Sequence, residues 1–264
     1  MPRDIPVIDL LVTLPRPEAE HPAGYMFKDT PQVAADGLLP EMDRFGVELA
    51  LIPVVRDEPT APGLLTSRPD RFLGCWQLEP DRGMAGVRDL RRAADELGVV
   101  AAGAFPAGTT PQVGIDDRSW YPLYATCAEL GIPVFINIGV PGPRWPAHVQ
   151  HPMLLEPVLA DFPELTVVTR HGGEPWVAET IALLRSWPNL HYSTSAFAPR
   201  YYPAEIIDFA NRDGADRVLY AGYFPSGLSL ERIFAELAQV PLADDVWPKF
   251  LRTNALRVLG RTEG

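Results

Sequence analysis

The chain is predicted to be an α/β protein folded as a single (β/α)8 TIM barrel over residues 1–264. Three observations predict this. Eight short apolar runs recur along the chain, and the stretches between them read as helices that end in a glycine or proline breaker. The length of 264 residues also matches the size of such a barrel.

In order, the strands are PVIDLLV, VELALIPVV, FLGCWQL, VVAAGAF, PVFINIG, LTVVTRH, LHYSTSA and RVLYAGY. They are rich in Val, Ile, Leu and aromatic residues and mostly apolar on both faces, as parallel strands covered by helices are. The helix-to-strand junctions FGVEL, LGVVA, LGIPV, FPELT, WPNLH and DGADR carry the breakers. Glycine there supplies the left-handed residue that closes a helix, and proline stops one. Thr30 before Pro31 reads as an N-cap with proline at the first helical position. Leu230, Ile233, Phe234 and Leu237 form a stripe at helical spacing that packs on the sheet. An open doubly wound sheet is the rival topology. It is disfavoured because PVIDLLVTL runs into PRPEAEHPAG, which lacks a glycine-rich phosphate turn.

Composition narrows the function. With 47% hydrophobic residues the chain can bury a large core. A net charge of −11 and a pI near 4.9 argue against a nucleic-acid partner, which needs a basic footprint, and against anionic membrane surfaces. The longest apolar run, around VVAAGAFPAG, is broken by glycine and proline and is too short to span a bilayer. The opening MPRDIPVIDL has no signal-peptide pattern, and two cysteines, Cys75 and Cys127, make no disulfide framework. A cytoplasmic location is expected, with both cysteines as small core residues.

In such barrels the active site lies where the strands end. Those positions hold Asp9 to Thr13, Val55, Arg56, Gln77 to Glu79, Phe105, Asn137, His171, Ser193 to Ser195 and Tyr223. The stretch LTVVTRHGGEPW, preceded by EPVLADFPE, resembles the sixth-strand region of the amidohydrolase-related family, the branch that contains aminocarboxymuconate-semialdehyde decarboxylase. RPDRFLGCWQLEP resembles that family's third-strand lead-in. GADRVLYAGYFP followed by FLRTNALRVLG resembles its eighth strand and closing helix. The resemblance runs in order through most of the chain.

What the resemblance implies is a divalent metal, usually zinc, held by an HxH pair on strand one, histidines on strands five and six, and an aspartate on strand eight. This sequence departs from that pattern. The HxH slot holds Leu11 and Thr13, the strand-five slot Asn137, and the strand-eight slot Tyr223, so only His171 remains. One imidazole does not hold zinc in a site needing three or four protein ligands, and no metal or other cofactor is expected. His148 and His151, three apart in PRWPAHVQHP, could share a face of a short helix, but two histidines are a weak metal signal beside capping or solvent-facing roles. His21 and His191 have no partners by spacing. Ser193 and Ser195 lack the G-x-S-x-G elbow of a nucleophile.

A polar pocket survives without metal. The expected catalytic residues are His171 as acid or base, with Glu174 and Tyr223 as supporting donors. The expected substrate-binding residues are Arg144 as carboxylate anchor, with Asn137, Trp176 and Tyr201. Gly172 and Gly173 are expected to turn backbone N–H groups toward an anion, and the loop carrying Arg144 is long enough for a lid. The plainer alternative pairs Glu174 with Arg144 structurally, packs the tyrosines on the rim, and keeps Asp9 as a hydrogen-bonded structural acid. Two functions follow. One is a hydrolase or lyase of a small carboxylate, lactone or amide. The other is a non-catalytic pseudoenzyme, or the partner subunit of a metal-bearing homologue. As partners, a small-molecule substrate and either a homo-oligomer or a hetero-oligomer with a related barrel are expected.

Overall fold

The computed structural model of the protein describes residues 4–14 and 35–262. The Thr30–Pro31 cap and His21 lie outside the described residues. Eight parallel strands follow one another in sequence order in one sheet. They are β1 (Val7–Asp9), β2 (Val47–Val54), β3 (Phe72–Gln77), β4 (Ala101–Ala104), β5 (Val134–Asn137), β6 (Val167–Arg170), β7 (Leu190–Ser193) and β8 (Val218–Leu219). The seam between β8 and β1 is joined by single bonds just past the strands. Leu10 N–H donates to the Tyr220 carbonyl (3.4 Å), Tyr223 N–H to Leu11 (2.9 Å) and Thr13 N–H to Phe224 (2.7 Å).

Each strand falls inside its predicted apolar run. The shortening is greatest at the seam, where irregular bonds replace a ladder. The covering helices are α1 (Leu38–Arg44), α2 (Thr60–Ser67), α3 (Met84–Leu97), α4 (Tyr121–Leu130), α5 (Leu155–Asp161), α6 (Val177–Ser186), α7 (Ala204–Asn211) and α8 (Leu230–Leu237). A ninth, α9 (Asn254–Val258), closes the described chain. Gly98 and Gly131 end α3 and α4 in the left-handed conformation, as their junctions predict. Gly214 does a different job, since a Cβ there would come within 2.2 Å of the Phe209 ring. On α8, Leu230, Ile233 and Leu237 are buried, and Ser229 caps the first turn through the Arg232 N–H.

Strand alternation sorts side chains into two cores. Ile8, Leu51, Leu73, Cys75, Phe135 and Val168 fill the barrel, while residues such as Val7, Ile52, Trp76 and Ile136 face the helices. From α9, Ala255, Leu256 and Val258 join the inner group. Asn254 binds the Ala215 and Val218 carbonyls there, so α9 stoppers the end where the strands begin. Cys75 and Cys127 are both free and buried. No described helix is long and apolar enough to cross a membrane.

Gly139, just past β5, fixes how two loops meet at the end where the strands finish. Its φ is +84°, and a Cβ would lie 2.8 Å from the Glu174 carbonyl oxygen and 2.9 Å from Gly173 backbone atoms. Gly139→Ala is therefore expected to cost about 3 kcal/mol, combining left-handed strain with a backbone clash. Gly46→Ala, at φ +69° with nothing near its Cβ, should cost only the strain, about 1 kcal/mol. Urea denaturation of both variants checks the ordering, and equal losses would refute the clash.

Candidate active site

His171 and Tyr223 meet at the end where the strands finish, with ring centroids 5.4 Å apart and planes at 87°. Both lie just past a strand, and both are non-glycine residues held at positive φ, 68° and 75°. Asp57 and Ala196, in the loops after β2 and β7, share that conformation, so among the described residues all four such residues lie past strand C-termini. Left-handed backbone costs a non-glycine residue roughly 1–3 kcal/mol, and such strain gathers at functional sites. Tyr223 packs on the inner core that includes Leu11. Its N–H donates to the Leu11 carbonyl (2.9 Å), so the chain past strand one, His171 and Tyr223 meet in the structure.

Ser195 orients the histidine. Its Oγ accepts the His171 backbone N–H (3.1 Å) and lies 3.1 Å from Nδ1. Burial, with the Arg170 charge beside it, pushes the imidazole down to about 3, and the Ser195 contact pulls weakly the other way. His171 is therefore neutral over the ordinary pH range.

The other expected residues are dispersed. Asn137 is buried at the end of β5, opposite Arg170 in the ladder. Glu174 and Arg144 are exposed on the rim, and the Glu174 carbonyl accepts the Val140 N–H. Trp176 sits at the start of α6 against His151, with ring centroids 4.5 Å apart. Tyr201 is on the outer surface, under the Arg200 guanidinium. Gly173 N–H is turned back onto the His171 carbonyl (2.9 Å), so it is not offered to an anion as expected. The Arg144 loop is tied at its base. Gln150 donates to the Gly139 carbonyl and accepts from Ala107 N–H, and Trp145 lies against Phe105. His148 and His151 fall at a 3-10 turn instead of sharing a helix face, and His151 Nδ1 caps the next turn through Met153 N–H.

Three features were not assigned a role by sequence reasoning. Arg170 points into the barrel, with its guanidinium 4.8 Å from the Phe135 ring centroid and Nη2 3.4 Å from Cys75 Sγ. A charged residue in the apolar run LTVVTRH was the signal for it. Arg56 and Glu79 form a two-bond ion pair on the rim (2.8 and 3.2 Å), which no short motif encodes. Ser195 was set aside as a nucleophile, and it acts instead on His171.

Asp9 is the structural acid anticipated. It is fully buried, and its Oδ1 accepts the Leu11 (3.0 Å) and Gly222 (2.8 Å) N–H groups. Burial raises its carboxyl to about 7 against these bonds and the nearby Tyr220 phenol. Oδ2 and that hydroxyl make no well-formed hydrogen bond, although both lie within 2.7 Å of where a Cβ on Gly222 would stand.

The strand ends do not fit the divalent metal that the resemblance implies. Leu11 and Tyr223 bring carbon surface and a phenol where donors would sit, and Thr13 is turned to Ser226 (2.8 Å). Among the described residues no three His, Cys, Asp or Glu side chains are grouped to hold an ion.

A family model described as amidohydrolase matches residues 61–261. Among curated proteins, 2-keto-4-carboxy-3-hexenedioate hydratase of Sphingobium sp. (strain NBRC 103272 / SYK-6) is 28% identical over 122 residues. That match covers 40% of this chain and only 36% of the hydratase. Among solved structures, an uncharacterized TIM-barrel protein of Bordetella bronchiseptica superposes with a TM-score of 0.79 at 26% identity, over 96% of this chain and 98% of that one. A 5-carboxyvanillate decarboxylase of Novosphingobium aromaticivorans, complexed with manganese and 4-hydroxy-3-methoxy-5-nitrobenzoic acid, gives 0.72 at 16% identity over 98% and 97%. The second likeness is one of fold.

Proposed function

We propose, from the premise that this chain belongs to the amidohydrolase family, that it is a hydrolase or lyase of a small carboxylate, lactone or amide that works without the family's usual metal. The observation that carries this reading is the His171–Tyr223 pair, strained and set edge to face at the mouth of the barrel. Lyase chemistry is favoured of the two, because the curated relative is named a hydratase and a structural neighbour a decarboxylase.

Ser195 Oγ accepts the His171 backbone N–H and faces Nδ1, and in this reading it gives its own proton to Nδ1. The ring proton then resides on Nε2, and a neutral imidazole offers N–H to an oxygen in the mouth. A pKa of about 3 suits that role and not that of a proton-loaded acid. Hydration of a conjugated double bond, decarboxylation and hydrolysis all build negative charge on such an oxygen, where a fixed donor is most effective. The Tyr223 phenol is the second donor and proton source, and Asn137 the third polar group. Glu174, Arg144, Trp176 and Tyr201 are assigned to the outer rim, where an entering substrate passes.

A second reading, as a partner subunit, is favoured by exposed apolar side chains near the mouth. Val140, Trp145 and Met153 are 57%, 37% and 39% exposed, which suits contact with another barrel. A cytoplasmic location fits either reading.

Chelator-treated protein, incubated with a panel of small unsaturated and hydroxylated carboxylates and followed by proton NMR, is expected to convert at least one without added metal. Conversion that appears only when Mn²⁺ or Zn²⁺ is supplied would overturn the metal-free reading. Inert protein that co-purifies with a second barrel would establish the subunit reading instead.

A further inference from the structure

Arg170 is the last residue of β6 and is only 4% exposed. A guanidinium keeps its charge, and burying it without an opposite charge is costly. Its partners here are a thiol, a weak acceptor, and an aromatic face. Neither neutralises it, and no carboxylate of a described residue makes a hydrogen bond or ion pair with it. Nε is sealed and without a hydrogen bond. Nη1 also makes none among the described residues, yet it is not among the sealed atoms, so it retains accessible surface. The free donors thus lie inside the barrel, one residue from His171, with the flat Phe135 ring behind them.

We propose that Arg170 is the carboxylate anchor of this site, and that the ligand is a small, singly charged organic acid whose carboxylate meets the free N–H groups of Arg170. The assignment rests on the mouth being the reacting site, and it moves the anchoring role from the exposed Arg144 to the barrel interior. An anion there supplies the counter-charge that no described residue gives, in a setting of low dielectric, where a charge-assisted, planar pairing is strong. The flat apolar wall of Phe135 beside the guanidinium favours an acid with one carboxylate on a flat unsaturated or aromatic body. That body extends toward His171 and Tyr223.

Benzoate serves as the probe and benzamide as its neutral counterpart. Benzoate is expected to raise the melting temperature of the wild-type protein with concentration, and benzamide to have no effect. Arg170→Met should lose at least about tenfold in benzoate affinity and melt above wild type without anion, because the uncompensated charge is gone. Arg144→Ala should keep the benzoate response. Equal responses to benzoate and benzamide, or a full response in folded Arg170→Met, would overturn the proposal. Should Arg170→Met not fold, wild-type crystals grown with 4-bromobenzoate decide the matter. The bromine signal should place the carboxylate within about 3 Å of Arg170, and a carboxylate seated on Arg144 or outside the barrel would refute the assignment. Wild type that binds benzoate yet converts no compound keeps Arg170 and removes the catalytic reading, whereas conversion with unchanged KM in Arg170→Met removes the Arg170 assignment alone.

Discussion

Replacing Asp9 by asparagine is expected to stabilise the protein by up to about 4 kcal/mol at pH 8 and to change it little at pH 4. Asp9 is fully buried, and desolvation lifts its carboxyl from 3.8 to about 7. A raised carboxyl favours folding fully below its unfolded pKa. That contribution is lost as the pH rises from about 4 through about 7, because the unfolded chain ionises first. The span between the two values corresponds to about 4 kcal/mol. Asparagine keeps an oxygen for the Leu11 and Gly222 N–H groups and never ionises.

Histidines act in the opposite direction. His171 and His191 are both pushed down to about 3, chiefly by burial, so their contribution is present above pH 6.5 and lost as the pH falls toward 3. Considering these three groups, wild type should gain stability from pH 4 to 6.5, where two histidine protons outweigh one aspartate proton, and then level off. Urea denaturation across pH 4–8 measures the difference between variant and wild type. A difference that does not vary with pH would mean that Asp9 is ionised in the folded protein.

His171→Ala is expected to lower kcat/KM by about 10² to 10³, the usual cost of removing a fixed donor to a developing oxyanion. His171→Gln tests how the residue acts. An amide can donate a hydrogen bond but cannot take a proton at neutral pH, so partial recovery marks the donor role. Activity as low as in the alanine variant marks a base. With its imidazole near 3, His171 should also put no bend in the kcat/KM profile between pH 5 and 8. A His171-dependent inflection near 6.5 would contradict the neutral-donor mechanism. Tyr223→Phe should retain the fold at a stability loss of about 1 kcal/mol while slowing turnover, which separates the phenol's chemistry from its packing.

Local patterning determined the barrel. Apolar runs such as VELALIPVV and FLGCWQL and breakers such as Gly98 and Gly131 act over a few residues, so periodicity and backbone preference expose them directly. The same alternation placed His171 and Tyr223 at strand ends, and their ring contact follows from the order of strands around the ring. Side-chain reach was not legible. Arg170 crosses to Cys75 over 95 residues of chain, and Ser195 reaches His171 from the neighbouring loop. Arg144 and Glu174, candidates by residue type, were left on the rim by loop paths that Gln150 and Gly139 set. The sequence by itself thus determined the order of strands and the residues at their ends, because those depend on neighbours along the chain. Only the tertiary structure decided which charge is buried, which nitrogen a serine faces and which carboxyl is lifted toward neutrality. Burial and hydrogen bonding depend on atoms that folding brings together from distant positions.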